Sequence, residues 1–125
     1  MRQVVRTDKA PQPVGPYSQA IVHNGVVYVA GQGPTNVETG ETPDSPGEQT
    51  RQVLKNIQAI LEAAGTSMAN VLRTNVYLKD RYDFAEMNAV YAEFFPNEPP
   101  ARTTVEAHPP VNIRVEIDCI AALPE

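Results

Sequence analysis

Two charged side chains in the last third of the chain are of the types that bind a carboxylate and move a proton. Arg102 follows the proline-rich segment NEPPA and begins a β-prone stretch, from which its guanidinium could enter a cleft and hold a carboxylate through two hydrogen bonds. Glu116 lies in the middle of the last β-prone stretch, where a carboxylate is rarely buried unless it is paired or functional. A second interpretation stays open, in which Arg102 pairs with Glu106 or Glu116 across strands.

Two further polar side chains could contact a ligand at such a site. Tyr17 lies in GPYSQA, where glycine and proline fix the backbone, so its hydroxyl could be presented to a ligand or could fill a surface groove. Asn88 lies on a predicted helix and could bind a ligand or cap a neighbouring loop. The two histidines, His23 and His108, stand beside a turn and a Pro-Pro pair and are expected at the surface.

The first half of the chain predicts a strand, a hairpin and a long loop. Residues 2–6, RQVVR, are β-prone, and the proline-rich segment after them is expected to be extended. Two β-prone runs in SQAIVHNGVVYVAGQ are separated by Asn24-Gly25, a dipeptide that suits a type I′ turn and therefore predicts a β-hairpin. The polar, turn-rich segment from Gly31 to Asp44 predicts a loop.

The second half of the chain predicts two helices and three strands. Ser45-Pro46-Gly47-Glu48 combines an N-cap serine, a helix-starting proline and a glutamate placed for a capping box, and Gly65 is the expected end of this helix. NVLRTNVYLKD alternates with a period of two and predicts a strand, and RYDFAEMNAVYAEFF predicts a second helix that ends before Pro96. ARTTVEA and NIRVEIDCIAAL predict the last two strands.

This order predicts an α+β fold in which two helices pack on one face of a mixed sheet. With Leu72, Val76 and Leu78 under the helices, alternation places mostly charged and polar residues on the other face. These are Arg73, Asn75, Tyr77, Arg102, Thr104, Glu106, Arg114, Glu116 and Asp118. The face is either solvated or, because it mixes signs of charge with a tyrosine and threonines, a subunit interface in which Arg114 and Asp118 make pairs.

Composition restricts the class of protein. A chain of 125 residues predicts one domain over residues 1–125, and a net charge of −5 argues against a nucleic-acid partner. The longest apolar runs are far shorter than the roughly 20 residues that span a bilayer, so we expect a cytoplasmic protein without a membrane partner. Cys119 is expected to be a buried, inert thiol, and with only two histidines no metal site is expected.

Six segments together resemble one known family. They are APQPVGPYSQAI, VYVAGQGP with TGE, QTRQVLKNIQAILEAAG, FAEMNAVYAEFF, PPARTTVEA and RVEIDCIAAL, and they span residues 8 to 122 in the order found in the RidA (YjgF) family. The resemblance implies a chorismate-mutase-like α+β fold. It also implies a homotrimer with the open sheet faces inward and the active clefts between subunits.

The same resemblance implies an activity and a set of residues. Members of the family hydrolyse reactive enamines and imines, such as 2-aminoacrylate, to 2-oxo acids and ammonia, without a metal or organic cofactor. The family's arginine matches Arg102 as the group that binds the substrate carboxylate, and its strand glutamate matches Glu116 as the residue that positions and deprotonates water. The family's ligand-contacting tyrosine, glycine and asparagine match Tyr17, Gly31 and Asn88.

Two positions depart from many deaminating relatives. Ala30 stands where those relatives have serine, and Thr104 stands where they have cysteine, so the wall of the substrate pocket is changed at both. Two other functions are therefore open besides general deamination of small imines. One is a pathway-specific deaminase, for example of 2-aminomuconate, and the other is a non-catalytic trimer that binds small carboxylates or acts as a chaperone. A ribonuclease, also proposed for relatives, is disfavoured by the acidic charge and the lack of a general-acid histidine.

Overall fold

Six strands form one mixed sheet in the computed structural model, which describes residues 1–125. The strands are β1 (Gln3–Val5), β2 (Ala20–His23), β3 (Val26–Gln32), β4 (Val71–Leu78), β5 (Ala101–Glu106) and β6 (Val115–Ala122). Their order across the sheet is β1-β2-β3-β6-β4-β5. All neighbouring strands are antiparallel except β4 and β5, which are parallel because α2 (Phe84–Phe94) connects them.

The predicted turn and helix ends are confirmed. Asn24 and Gly25 have φ values of 51° and 76°, as a type I′ turn requires, and they join β2 to β3. Helix α1 (Pro46–Ala64) begins where Ser45 Oγ accepts a hydrogen bond of 3.1 Å from the N–H of Glu48. The carboxylate of Glu48 pairs with Arg51 instead of closing the capping box.

Both helices pack on one face of the sheet, as predicted. Helix α1 buries an apolar stripe that includes Val53, Ile57 and Ile60 against β3 and β6, while α2 contributes Met87 and Tyr91. The sheet contributes its alternate residues, among them Val27, Val29, Val76, Leu78, Val115, Ile117, Cys119 and Ala121. This layer excludes water from one side of the sheet only, so the other side remains open. Neither helix combines the length and the apolar character needed to span a bilayer.

The start of β4 differs from the prediction. Leu72, expected under the helices, is 52% exposed, whereas Val71 is buried. The register between β4 and β6 shifts between Val71 and Arg73, so the irregularity reverses which side chain points inward. Alternation resumes after it, and Thr74, Val76 and Leu78 all face the helices.

The face assigned to β5 is also wrong in the prediction. Arg102 and Thr104, expected on the open face, lie beside Thr74 and Val76 in the parallel register and therefore face the helices. Glu106, at the end of β5, lies beside Leu78 and therefore also belongs to the helix side. The open face of β5 instead carries Thr103, whose Oγ1 accepts a hydrogen bond of 2.6 Å from Arg73. Alternation along β5 defines two faces, but only its register against β4 decides which of them is covered.

Candidate active site

Glu116 projects from β6 on the open face of the sheet, at a cleft of about 630 Å³. The cleft is also lined by Tyr17, by Ala30 and Gly31 at the end of β3, and by Asn112 in the loop before β6. The Glu116 carboxylate makes none of the salt bridges in the chain. It is a half-buried acid that faces a cavity without a partner, the arrangement expected of a group that acts on a ligand.

Gly31 gives the Glu116 side chain the space it occupies. The register between β3 and β6 shifts between Val29 and Gln32, so Ala30 and Gly31 lie in a bulge. A Cβ at residue 31 would overlap the carboxylate of Glu116, and only glycine avoids this collision. The carboxylate is therefore packed directly against the backbone of the bulge.

The surroundings of Glu116 favour its protonated form. Burial raises the pKa of the Glu116 carboxyl above its ordinary value, and the negative charge of Asp118 raises this pKa further. Asp118 itself is held by two donors from β4, Asn75 Nδ2 and Tyr77 Oη, each at 2.9 Å. Asp118 was expected to pair across a subunit interface; instead, both of its oxygens are occupied within the chain.

Tyr17 lines the cleft, on a loop fixed by a buried glutamine. Its hydroxyl accepts a hydrogen bond of 3.3 Å from the N–H of Val14, and its ring remains 48% exposed. Gln19 is 2% exposed, and its Oε1 accepts from the N–H of Thr7 at 2.8 Å. Its Nε2 donates to the carbonyls of Thr7, Ala10 and Pro11. These bonds hold the proline-rich segment against the sheet and so position Tyr17.

Two buried amides of α1 hold the other walls of the cleft, and the sequence interpretation missed both. Asn56 Nδ2 donates to the carbonyls of Gly33 and Thr35, each at 3.0 Å. Gln49 Oε1 accepts from the N–H of Arg114 at 2.7 Å at the start of β6. A signal was available, because Gln49 and Asn56 share the spacing of the buried apolar residues of α1.

Arg102 forms a second group of polar residues, on the helix side of the sheet. Its guanidinium lies 4.8 Å from the centre of the Tyr91 ring and 5.6 Å from that of Phe84, both on α2. It makes none of the salt bridges in the chain, so the predicted alternative of a pair with Glu106 or Glu116 is wrong. The guanidinium is held by cation–π contacts, and its hydrogen-bond donors remain available for an anion.

Two buried oxygen atoms near Arg102 have no hydrogen-bond partner. They are Oδ1 of Asn88, which shares a cavity of about 580 Å³ with Arg102, and Oγ1 of Thr104, two residues further along β5. Since buried polar atoms are nearly always paired, such orphans indicate a place for a ligand or water. The alternative in which Asn88 Oδ1 caps a loop is not realised.

The predicted site residues therefore fall into two groups. Glu116, Tyr17, Ala30 and Gly31 meet at the open-face cleft, whereas Arg102 and Asn88 share a cavity on the helix side, and Thr104 lies further along β5 at a neighbouring pocket. Because β4 lies between the strands of Arg102 and Glu116 and the two side chains point to opposite faces, these two residues of one chain cannot bind the same small molecule.

Arg114 and Cys119, also considered in the sequence analysis, have structural roles in the fold. Arg114 Nη1 pairs with Asp83 Oδ2 at 3.3 Å, so it is not free for the interface pairing that was expected. Cys119 is buried under the helices as predicted, and burial, with a smaller contribution from Asp118, raises the pKa of its thiol to about 12. A thiol of this kind is a poor nucleophile near neutral pH.

Comparison with known proteins shows the family to which the chain belongs. A family model described as Endoribonuclease L-PSP matches residues 7–123, and a RutC family protein of Pyrococcus horikoshii is 50% identical over 97% of this chain and 98% of its own. The chain belongs to the RidA (YjgF) family. A further RidA relative, Reactive Intermediate Deaminase A of Arabidopsis thaliana chloroplasts, is 44% identical over 98% of this chain and 66% of its own length.

Solved structures of RidA-family proteins share the fold. The YjgF gene product of E. coli superposes with a TM-score of 0.92 and 39% identity, covering 96% of this chain and 98% of its own. E. coli TdcF, solved with bound serine, superposes with a TM-score of 0.93 and 34% identity, covering 98% of this chain and 99% of its own. The predicted family and α+β fold are therefore confirmed.

Proposed function

We propose that this RidA-family protein hydrolyses reactive enamines and imines of small 2-amino acids to 2-oxo acids and ammonia. The observation that carries the proposal is the Glu116 carboxylate, which faces a cleft without a partner and has a raised pKa. A carboxylate with these properties is a stronger base than an ordinary glutamate, so it is suited to take a proton from an attacking water.

Arg102 is the proposed anchor for the substrate carboxylate. Its guanidinium makes no salt bridge and rests on the rings of Tyr91 and Phe84, which support it without using its hydrogen-bond donors. The unpaired oxygens of Asn88 and Thr104 lie on the same side of the sheet and could bind the amino or imino group. E. coli TdcF, solved with bound serine, supports a small amino-acid-like ligand for this family.

A complete site is proposed to form between two copies of the chain. One copy supplies Arg102 and Asn88 from its helix side, and its neighbour supplies Glu116, Tyr17 and Gly31 from its open face. This arrangement follows from the opposite orientations of Arg102 and Glu116, and repeated around a closed ring it gives the homotrimer that the family implies. The open face supports an interface because its apolar side chains include Tyr28 and Leu72, which are 47% and 52% exposed in the single chain.

The proposed reaction balances with water as the only co-reactant. An enamine such as 2-aminoacrylate takes up a proton at its terminal carbon and loses one from nitrogen, which gives the imine. Glu116 accepts a proton from water as the hydroxyl group adds to the imine carbon, and it passes this proton to the imine nitrogen, which gives the carbinolamine. Glu116 then takes the proton of the carbinolamine hydroxyl as the C=O bond forms and the C–N bond breaks, and this proton goes to the departing nitrogen, so that ammonia and the 2-oxo acid are released. Arg102 holds the carboxylate throughout, which fixes the imine carbon relative to the water.

The test is consumption of 2-aminoacrylate generated in situ by a serine or threonine dehydratase. The wild-type protein is expected to speed pyruvate formation beyond the spontaneous rate, and Arg102→Ala is expected to lose this effect. Lys55→Ala, which removes one exposed positive charge from α1, is the matched control and should behave as wild type. Identical rates with wild type, Arg102→Ala and no protein would reject the deaminase and leave a carboxylate-binding protein as the better explanation.

Binding is measured separately from turnover. Glu116→Gln keeps the shape of the side chain but removes the base, so it should bind a stable carboxylate such as serine as well as wild type while turnover falls roughly 10²-fold or more. Unchanged turnover in Glu116→Gln would remove Glu116 from the mechanism.

A further inference from the structure

Four side chains of β4 and β6 form a connected group on the open face of the sheet. Asn75 lies opposite Asp118, and Tyr77 lies opposite Glu116. Tyr77 nevertheless donates its hydroxyl diagonally to Asp118 Oδ2 at 2.9 Å, while Asn75 Nδ2 donates to Asp118 Oδ1 at 2.9 Å. Asp118 thus receives both donors, and Glu116 receives neither.

We propose that Asp118 is a positioning residue for Glu116: it takes up the two donors that β4 offers, and its fixed negative charge keeps the neighbouring Glu116 carboxylate a strong proton acceptor. This inference rests on the proposed function of Glu116 as the base. It adds a role for Asp118, Asn75 and Tyr77, none of which lines the cleft.

The two carboxylates occupy contrasting environments at a short distance. Residues two apart on one face of a strand lie about 7 Å from each other. Asp118 has a donor on each oxygen, whereas Glu116 is half-buried without such a donor. Two neighbouring carboxylates held in different environments are a common arrangement for acid–base chemistry.

The other titratable groups around Glu116 do not account for the effect. Tyr77 on β4 faces Glu116 and Asp118 together, and its own pKa is raised by burial, by its hydrogen bond to Asp118 and by both negative charges. Tyr17 is the other titratable residue that lines the cleft. Arg114, two residues before Glu116, is engaged by Asp83. Two cations also lie on or beside β4: Arg73 donates to Thr103, and Lys79 donates to Asn112 Oδ1 at 2.9 Å. Both are of the sign that would lower the pKa of Glu116, so the negative charge of Asp118 is the one that acts with burial to raise it.

The experiment follows the Glu116 carboxyl carbon by NMR in protein labelled with ¹³C-glutamate, with the signal assigned by its loss in Glu116→Gln. Asp118→Asn removes the charge and keeps the shape, and it is expected to lower the titration midpoint of Glu116 by about 0.5 to 1 pH unit. The acid limb of the pH–rate profile should move by the same amount. Asp118→Ser removes the charge in a second way, so the result does not depend on the folding of one variant.

Two controls separate charge from packing. Tyr77→Phe removes a donor but leaves the Asp118 charge, so the Glu116 midpoint should stay within about 0.3 pH unit of wild type. Glu62→Gln removes an exposed carboxylate on α1 and should not move it. An unchanged midpoint in the folded Asp118 variants would overturn the inference. Because the midpoint is measured without substrate, this result is distinguishable from failure of the deaminase assay, in which wild type itself shows no turnover.

Discussion

The guanidinium of Arg102 and the carboxylate of Glu116 point to opposite faces of the same sheet. Arg102 lies beside Thr74 and over the Tyr91 ring on the helix side, and Glu116 lies opposite Tyr77 on the open side. A ligand that needs both groups must therefore lie between two chains. If the proposed reaction uses both groups, activity requires an assembly of chains, and this requirement can be tested by mixing variants.

Subunit mixing is expected to restore activity to two inactive variants. If each site takes Arg102 from one chain and Glu116 from its neighbour, an equal mixture of Arg102→Ala and Glu116→Gln chains contains some sites in which both groups are intact. Random assembly makes roughly one quarter of the sites complete. Co-refolded chains should recover about that share of wild-type turnover of 2-aminoacrylate. The doubly substituted chain mixed with itself is the control, and no recovery in the mixed sample would contradict a shared site.

Gly31→Ala is expected to lower turnover with little loss of stability. The added methyl would overlap the Glu116 carboxylate, and because that carboxylate is the end of a flexible side chain at a cleft, it moves in preference to the β3 backbone. Gly33→Ala is the matched control, because its methyl would only meet Ile113 Cδ1 at 3.4 Å. Turnover and denaturant unfolding measured on both variants check this. Equal turnover in Gly31→Ala and Gly33→Ala would contradict the need for glycine at position 31.

The element order could be predicted because the deciding contacts are local. The Ser45 cap, the Asn24-Gly25 turn and the apolar stripe of α1 each depend on residues a few positions apart, and all three appear as expected. Gly65 likewise has the positive φ of 93° that ends a helix. Such signals act before any tertiary contact forms, so the sequence carries them directly.

The division of the site could not be predicted, because it depends on contacts distant in sequence. The charges of the last two strands alternate in the same way, and this pattern suggested one shared face. The parallel register of Arg102 beside Thr74 is set by the packing of α2, whose Phe84 and Tyr91 rings lie under the guanidinium. The resemblance to the RidA family named candidate residues and implied a site between subunits, but it did not say which face carries each residue.

Tyr91 is expected to serve stability through its hydroxyl and ligand binding through its ring. The hydroxyl lies 2.7 Å from Thr74 Oγ1 in the buried layer, so Tyr91→Phe leaves a buried group unpaired and should cost about 1–3 kcal/mol of stability. It keeps the ring under Arg102, so the KM for 2-aminoacrylate should hardly change.

Tyr91→Leu removes the ring as well and should raise this KM by about 2- to 30-fold, the range that loss of one cation–π contact allows. Thr74→Val, which deletes the same hydrogen bond from the other side, is the control and should resemble Tyr91→Phe. Stability comes from denaturant unfolding and KM from steady-state rates. A KM that rises as much in Tyr91→Phe as in Tyr91→Leu would contradict the role of the ring.

Glu116 is expected to reduce stability at neutral pH while serving the reaction. Because its pKa is raised in the folded protein, the unfolded chain ionises first as pH rises, and the free energy of unfolding falls between the unfolded and folded pKa values. Below both pKa values the carboxyl is protonated in the folded and the unfolded chain, so it no longer changes the free energy of unfolding. Glu116→Gln should therefore be more stable than wild type at pH 7, by less than about 1 kcal/mol because solvent screens a partly exposed carboxylate.

The measurement is denaturant unfolding at pH 7 and at about pH 4, close to the ordinary pKa of glutamate, at one protein concentration since assembly contributes to stability. The gain from Glu116→Gln should shrink at the lower pH, where the unfolded chain no longer ionises fully. Glu62→Gln, on an exposed position of α1, should give no such difference between the two conditions. A gain that grows as the pH falls would mean that the folded protein stabilises the charged form of Glu116. That result would contradict a pKa raised by burial and by Asp118.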